Sequence, residues 1–370
     1  MQIIDFFSFK NFPESIMLEW KLAINNVLDK GLFIGGPEVE TFEKSWSEYL
    51  NVKHSIGVGN GYDAIFIALK VLGISSGDIV AVPNHTFVAT WLSVKATGAT
   101  PIGIDCDING LINLDKLEAS DFNYAAVVPV HMHGQMVDME RLKRWADAKH
   151  IKIVEDCAQA HGANIKNRMA GTWGDFGAFS FYPTKNLGAI GDAGALVTND
   201  DDLARSARSV ANYGRKQESK NDYERLGINS RLDPIQAAVL TVNLKYLDEW
   251  NKKRIELANR YNLITSSNNI TTINNTYGSV FHHYIVRSKN RNKTRELLLN
   301  YGIRTEIHYS QSANQIFAQI NGEPVKTDIS ESSKLSSETL SLPLSPWMTL
   351  EEFDYVEGII LTPEVLESFF

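Results

Sequence analysis

Residues 55–69 read SIGVGNGYDAIFIAL and combine an apolar strand pattern, a glycine-rich turn and a helix pattern. Such a turn directs backbone N–H groups and a helix N-terminus at one point, an arrangement that suits a phosphate group. A tight strand-to-helix turn that needs glycine only for its backbone geometry would have the same pattern. The turn is therefore a candidate phosphate site, with both interpretations open.

Two further segments contain an acid and an amine that are candidates for chemistry. In KIVEDCAQAHGA, residues 152–163, an apolar strand ends at Asp156, and open α/β sheets bind ligands at the carboxyl ends of their strands. In GAFSFYPTKNLGAIGDAGALVT, residues 177–198, Lys185 lies in a polar turn after an aromatic strand. Taken alone, the aspartate could cap a helix and the lysine could be a solvated surface charge.

Together, the three segments contain the groups that hold pyridoxal phosphate. The glycine-rich turn would bind the phosphate. Asp156 would keep the pyridine nitrogen protonated, so that the ring accepts electrons, and Lys185 would condense with the aldehyde. This combination predicts a pyridoxal-phosphate enzyme.

The same turn only superficially matches a dinucleotide-binding motif. The third glycine of that motif would fall at position 62, where the chain has Tyr62. The next predicted strand, 79–82, is followed by Pro83, Asn84 and His85 instead of the acidic residue that holds a ribose hydroxyl. A nicotinamide-dependent oxidoreductase is therefore the weaker enzyme class.

Short apolar strands alternate with helical patterns along the first part of the chain. This alternation is typical of βαβ units with a largely parallel sheet. Strands are predicted at 55–58, 79–82, 125–130 and 152–155, and helices at 16–30, 37–50, 62–72, 90–97 and 139–149.

The sequence divides into a large cofactor-binding domain, 1–245, and a small C-terminal domain, 246–370. A long helix is predicted from Asp233-Pro234, with one apolar stripe formed by Ile235, Val239, Val242, Tyr246 and Trp250. The stripe indicates packing in the core or against a second subunit. Beyond it, FHHYIVRS, NKTRELLLNYG, IRTEIHY and TLEEFDYVEGII predict a strand, a helix, a strand and a helix.

The composition is that of an ordinary globular protein. Hydrophobic residues make up 44%, and the net charge of −8 gives no global reason to bind nucleic acid. No apolar run is long enough to span a bilayer, and the first residues do not read as a signal peptide. Cys106 and Cys157 form no CxxC pair, which indicates a reducing compartment, so a cytoplasmic location is expected.

The sequence resembles the DegT-type sugar-nucleotide aminotransferases, pyridoxal-phosphate enzymes of the aspartate aminotransferase fold, also called fold type I. The resemblance covers nearly the whole chain. It rests on the ordered motifs GLFIGGPEVETFE, GVGNGYDA, PNHTFVAT, VEDCAQAHGA, SFYPTKNLGAIGDAGA, YGRK, GINSRLDPIQAAVL, GIRTEIHY and LPLSPWMTLEEFDYV. It implies an α/β protein with a mostly parallel central sheet and a smaller C-terminal α/β domain.

Carried over residue by residue, the resemblance implies that Lys185 binds the cofactor aldehyde and shuttles a proton, and that Asp156 pairs with the pyridine nitrogen. Gln159 would contact the ring hydroxyl, and Phe87 would stack on the ring. The implied phosphate ligands are Asn60, Gly61, Tyr62 and Ser180 and, from a neighbouring subunit, Asn229. The implied unit is a homodimer with shared active sites.

One residue departs from the family pattern. Many members have threonine where this chain has Tyr62 and use its hydroxyl for the phosphate. The contact here must therefore come from backbone N–H, or Tyr62 must turn its side chain elsewhere.

The segments GNGYDA, HTFVATW and VHMHGQ look more like the branch that aminates carbon 3 of a dTDP-3-keto-6-deoxyhexose than like the carbon-4 branch. The resemblance implies transfer from L-glutamate to this nucleotide-linked keto-sugar, giving an amino sugar for a natural product or for a surface glycan such as lipopolysaccharide. A sugar dehydratase of the same fold would have histidine in place of Lys185. A non-catalytic cofactor-binding protein would lack the set formed by Lys185, Asp156 and Gln159.

Four other residues remain open candidates. His131 and His133 form an HxH at a strand end, which could bind a metal, but the remaining ligands are absent from the local sequence, so packing or a substrate contact is favoured and no metal is expected. His308 and Tyr309 end a predicted strand, and the resemblance implies that they lie near the substrate. Packing at an edge strand would explain that pair equally well.

Overall fold

The computed structural model describes residues 2–216, 219, 221–273, 278–321 and 327–370. Its strands are β1 His54–Val58, β2 Ile79–Pro83, β3 Thr100–Ile104, β4 Ala126–Val127, β5 Lys152–Asp156, β6 Asn164–Ile165, β7 Arg168–Met169, β8 Phe176–Ser180, β9 Gly194–Thr198, β10 Tyr284–Arg287 and β11 Thr339–Leu342. Its helices are α1 Glu14–Lys30, α2 Pro37–Leu50, α3 Gly61–Val71, α4 Ala89–Ala96, α5 Leu114–Glu118, α6 Met139–Ala148, α7 Asp201–Ala211, α8 Pro234–Leu244, α9 Leu247–Ser267, α10 Arg291–Asn300, α11 Ala313–Asn321, α12 Ser330–Glu338, α13 Leu350–Ile360 and α14 Pro363–Glu367. Among these described helices, none is long and apolar enough to cross a membrane.

The central sheet has seven strands in the order β1-β9-β8-β5-β4-β2-β3. The strands β3, β2, β4, β5 and β8 pair in parallel, and β9 is antiparallel to both of its neighbours. Because β9 alone in this sheet is reversed, the carboxyl ends of the other six strands lie along one edge. The predicted α/β fold with a mostly parallel sheet is confirmed.

Both faces of this sheet are covered by apolar clusters. Phe42 and Trp46 of α2 belong to the cluster on one face, and Ile67 of α3 and Trp91 of α4 belong to the cluster on the other. The parallel strands are therefore buried on both sides, as their apolar sequences require.

A third apolar cluster lies around the two-stranded antiparallel sheet of β10 and β11. Helices α9, α10 and α13 contribute to it, and so does Ile4 from the start of the chain. Phe317 of α11 also lies in the C-terminal part of the chain, but it packs into a cluster of the central sheet. The boundary between residues 245 and 246 stays a prediction.

In the first 160 residues, the predicted helices and strands are found with ends shifted by at most two residues, with one exception. The strand predicted at 125–130 is reduced to Ala126–Val127. Pro129 lacks an N–H group and interrupts the ladder, and pairing resumes only as a bridge between Val130 and Asp156.

The predicted strand in IRTEIHY is wrong. The segment makes only isolated bridges, from Ile303 to Ile4 and from Glu306 to Ser341. After Glu306 the chain leaves the small sheet and carries His308 and Tyr309 into the wall of a cavity, so the ladder cannot continue.

The single long helix predicted after Asp233 is also wrong. The chain forms α8 and α9 with a break at Lys245 and Tyr246. The apolar stripe packs inside the chain, where Val239, Val242 and Trp250 share a cluster with the α1 residues Ile16 and Trp20. The stripe therefore has its packing partner without a second subunit.

Candidate active site

A cavity of about 490 Å³ opens at the carboxyl ends of the parallel strands, the edge where open α/β sheets bind ligands. The loops after β1, β2, β5 and β8 form its floor, and residues from the C-terminal part of the chain close one side. Among the predicted site residues, those that line it are Asn60, Gly61, Tyr62, Phe87, Asp156, Gln159, Ser180, Lys185, His308 and Tyr309.

The glycine-rich turn is built around the start of α3. Asn60 caps the helix, because its Oδ1 accepts a hydrogen bond from Asp63 N at 2.8 Å while its Nδ2 donates to Asp63 Oδ2 at 3.1 Å. The N–H groups of Gly61 and Tyr62, the first two residues of the helix, have no intrahelical acceptor. The turn therefore presents backbone donors, as phosphate requires, whereas the side chain of Asn60 is used inside the turn.

Close contacts explain why positions 61 and 194, at this turn, are glycine. A Cβ at Gly61 would lie 2.7 Å from Ser180 Cβ, and one at Gly194 would lie 2.5 Å from the Asn60 carbonyl carbon. The turn thus rests directly on β8 and β9. This contact places Ser180 beside the first N–H groups of α3.

Asp156 ends β5 and is 5% exposed. Its Oδ2 accepts a hydrogen bond from Thr90 Oγ1 at 2.9 Å, and its Oδ1 accepts one from Ala158 N at 3.1 Å. Burial raises the pKa of Asp156, and these two donors and the nearby Lys185 oppose that rise. Residues 157–163 form turns and no helix, so Asp156 does not cap a helix.

Lys185 lies inside the cavity and is not a solvated surface charge. Burial lowers the pKa of its amine to about 8, and the Asp156 carboxylate opposes this change. With that pKa, roughly a tenth of the amine is unprotonated at pH 7, and this is the form that attacks an aldehyde. The loop that holds it is tight, since a Cβ at Gly188 would lie 2.4 Å from the Pro183 carbonyl oxygen.

Hydrogen bonds fix the orientation of the Gln159 amide. His133 N donates to Oε1 at 2.6 Å, and Nε2 donates to Tyr309 Oη at 3.2 Å. The NH₂ end is therefore the one that faces the cavity. Phe87, which is 55% exposed, stands on the cavity wall with its ring 5.7 Å from that of Tyr309.

Three histidines, His282, His283 and His308, line the cavity, and the first two were not among the predicted site residues. His283 stacks on His308 with ring centroids 3.8 Å apart, and His133 Nδ1 lies 3.3 Å from His283 Nδ1. Burial, Lys185 and His85 lower the pKa of His308 to about 4. The missed residues, His282 and His283, stand side by side in FHHYIVRS, where the predicted strand gave no indication of a cavity.

The two histidines of the HxH motif, His131 and His133, have different surroundings. His131 Nε2 lies 3.0 Å from Glu155 Oε2, and its Nδ1 accepts a hydrogen bond from Val137 N. Cys157 is close enough to complete a possible metal-ligand group with these two residues. Glu155, however, also accepts backbone hydrogen bonds from Gly171, Trp173 and Gly174, so the geometry favours packing for His131.

Asn229 lies apart from the other predicted site residues. It does not line the cavity of its own chain, is exposed, and pairs with Asn212 in an isolated bridge. Its predicted role toward a neighbouring subunit stays a prediction.

The model of the DegT/DnrJ/EryC1/StrS aminotransferase family matches residues 15–360. The chain belongs to this family. It is 39% identical over 350 residues to dTDP-3-amino-3,4,6-trideoxy-alpha-D-glucose transaminase from Streptomyces venezuelae, with 93% of this chain and 91% of that protein covered. It is 38% identical over 359 residues to dTDP-3-amino-3,6-dideoxy-alpha-D-galactopyranose transaminase from Aneurinibacillus thermoaerophilus, with coverage of 96% and 98%.

The fold also matches solved structures of the family. The crystal structure of S. venezuelae DesV in complex with a ketimine intermediate superposes with a TM-score of 0.93 at 37% identity, and 97% of this chain and 98% of that chain are covered. The predicted family, fold type and enzyme class are confirmed: the protein is an aminotransferase of the DegT family.

The family depends on pyridoxal phosphate, and the predicted cofactor is confirmed. The residues of the cavity fit that group. Backbone donors at the start of α3, the buried carboxylate of Asp156 and the amine of Lys185 all face one space, which matches the phosphate, ring nitrogen and aldehyde of the cofactor.

Proposed function

We propose that the protein transfers an amino group from L-glutamate to carbon 3 of a dTDP-3-keto-6-deoxyhexose. The observation that carries the proposal is the convergence of Lys185, Asp156 and the α3 turn in one cavity. The substrate is supported by two relatives whose names describe dTDP-3-amino sugars and which align over more than nine tenths of the chain.

The proposed roles of the residues follow from their contacts. The N–H groups of Gly61 and Tyr62, together with the Ser180 hydroxyl, bind the cofactor phosphate, and Phe87 packs against the ring. Bound pyridoxal phosphate supplies an electron-accepting ring. Asp156 keeps the nitrogen of that ring protonated.

Proton transfer is assigned to Lys185. Its Nζ takes the proton from the carbon that carries the donor's amino group and later returns one to carbon 3 of the sugar. An amine whose pKa is about 8 suits both directions, because a general acid–base works best near the operating pH. Gln159 Nε2 donates to the ring oxygen, and His308 and Tyr309 contact the sugar.

The experiment that tests this function uses the purified holoenzyme with L-glutamate and, separately, the 3-keto and 4-keto forms of the dTDP sugar. The proposal expects amination of the 3-keto sugar at carbon 3, identified by mass spectrometry and NMR. A product aminated at carbon 4 would assign the enzyme to the other branch. A deoxygenated product without nitrogen would indicate dehydratase activity.

We further propose that the active unit is a homodimer in which Asn229 binds the cofactor phosphate of the partner subunit. Asn229 is exposed, and an amide donates to phosphate without adding charge. An apolar loop formed by Leu32, Phe33 and Ile34 is 44% to 53% exposed, which is typical of a surface that packs against another chain.

A cytoplasmic location is also proposed. Both cysteines are buried free thiols, which suits a reducing compartment. Cell fractionation followed by immunodetection tests this proposal, and recovery of the protein outside the cytoplasmic fraction would contradict it.

A further inference from the structure

Ser230 connects the segment after Asn229 to the phosphate-binding turn. Its side chain is 2% exposed. Gly59 N donates to Ser230 Oγ at 2.9 Å, and Ser230 Oγ donates to Asp63 Oδ2 at 2.6 Å. One hydroxyl therefore accepts from the residue that precedes Asn60 and donates to the third residue of α3.

These bonds close a ring around the turn. Asp63 Oδ2 also accepts from Asn60 Nδ2, and Asp63 N donates back to Asn60 Oδ1. Gly59 and Ser230 are also packed closely, since a Cβ added at Gly59 would lie 3.3 Å from Ser230 Oγ. The Asp63 carboxylate is thus held between the side chains of Ser230 and Asn60.

The position of this carboxylate matters because it competes with phosphate. Asp63 lies in the first turn of α3, where the unpaired N–H groups of a helix attract any anion. A carboxylate released from Ser230 can turn toward the N–H groups of Gly61 and Tyr62. These are the donors that the proposed function assigns to the cofactor phosphate.

We propose that Ser230 is a positioning residue that keeps the Asp63 carboxylate away from the N–H groups that bind the cofactor phosphate. The inference rests on the proposed phosphate site. A hydroxyl suits this role because it accepts and donates at the same time. Alanine can do neither, so it frees Asp63 and leaves the Gly59 N–H without its acceptor.

The test compares the affinity of apoenzyme variants for pyridoxal phosphate and for pyridoxal, which lacks the phosphate. Binding is measured by tryptophan fluorescence and needs no turnover. Ser230→Ala should weaken pyridoxal phosphate binding by about five- to tenfold, the effect expected when the Asp63 carboxylate competes for one or two of the hydrogen bonds to the phosphate. Its affinity for pyridoxal should stay at the wild-type value.

Ser209→Ala is the matched control. Ser209 is 5% exposed, and its Oγ has no hydrogen-bond partner among the described residues. This variant removes a buried serine hydroxyl close in sequence to Ala211, whose carbonyl accepts from Ser230 N. It should bind both ligands like the wild type.

A double variant tests the competition directly. In the Asp63→Ala background no carboxylate remains to compete, so adding Ser230→Ala should change pyridoxal phosphate affinity by less than about twofold. The inference is overturned if the full loss persists in that background. It is also overturned if Ser230→Ala lowers the affinity for pyridoxal phosphate and for pyridoxal by the same factor. The same holds if the affinities of Ser230→Ala equal those of the Ser209→Ala control.

The wild-type protein separates this inference from the function on which it rests. If it binds pyridoxal phosphate no more tightly than pyridoxal, the phosphate site itself is wrongly assigned, and the inference fails with it. If the wild type prefers the phosphorylated form and Ser230→Ala keeps the whole preference, only the role of Ser230 is refuted.

Discussion

Asp156→Asn removes one charge from the cavity floor while keeping the shape of the side chain. The carboxylate is 5% exposed and already accepts bonds from Thr90 Oγ1 and Ala158 N. An amide has a single acceptor oxygen and no charge. In the role proposed for Asp156, the variant therefore cannot keep the ring nitrogen of the bound cofactor protonated, and the ring becomes a weaker electron acceptor.

The expected loss is at least about a hundredfold in turnover, equivalent to about 2.7 kcal/mol of activation free energy. The figure is the low end of what one preorganised electrostatic group supplies in a site shielded from water. The amount of cofactor bound by the variant should decrease less than its turnover. Burial lowers the Lys185 pKa and Asp156 opposes that effect, so removing the Asp156 charge lowers the Lys185 pKa further and leaves more of the amine unprotonated.

The assay measures the two effects separately. Cofactor content is determined by absorbance after gel filtration, and the half-reaction with L-glutamate is followed by stopped-flow spectroscopy. Thr90→Val provides a graded comparison, because it removes one donor to Asp156 without removing the charge, and it should cost about tenfold or less. Near wild-type turnover in a folded, cofactor-loaded Asp156→Asn protein would mean that Asp156 is only structural.

Three further predictions concern other residues. Borohydride reduction and peptide mapping should place the cofactor on Lys185, and a label on another lysine would refute that assignment; Lys185→Ala should abolish turnover. Mixing inactive Lys185→Ala and strongly impaired Asn229→Ala subunits should restore part of the activity, because one site of each mixed dimer is intact; complete subunit exchange without recovery would exclude the shared site. Burial alone would raise the pKa of Asp105, but hydrogen bonds from Lys116 and Ser332 hold it well below its usual range. Asp105→Asn should therefore lower the free energy of unfolding by about 2 kcal/mol at neutral pH. Because a carboxylate with a lowered folded-state pKa loses its contribution on protonation, the difference, measured by urea unfolding, should shrink below about pH 4; equal differences at pH 7 and pH 3 would contradict this.

The sequence predicted the residues whose positions depend on local structure. An apolar run that stops at Asp156 predicts its place at a strand end, and glycines between a strand pattern and a helix pattern predict the turn before α3. In a parallel sheet, such strand ends meet at one edge. Local pattern and sheet geometry together are therefore enough to place the acid and the glycine-rich turn near each other.

Features that depend on tertiary packing were not predictable in the same way. The apolar stripe continues across the break at Lys245 and Tyr246, so its periodicity contains no signal for two helices. His282 and His283 line the cavity and directly precede β10. Their position in the sequence is equally typical of a strand with two polar residues before it.

The charges of the cavity bear on how a nucleotide sugar is held. His282, His283 and His308 have pKa values lowered by burial and by neighbouring charges, so at neutral pH their rings are uncharged and can each donate and accept a hydrogen bond. Among the described residues that line the cavity, Lys185 is the sole Lys or Arg side chain. The two negative charges of a nucleotide diphosphate would therefore have to be met by backbone donors or by charged groups beyond this lining.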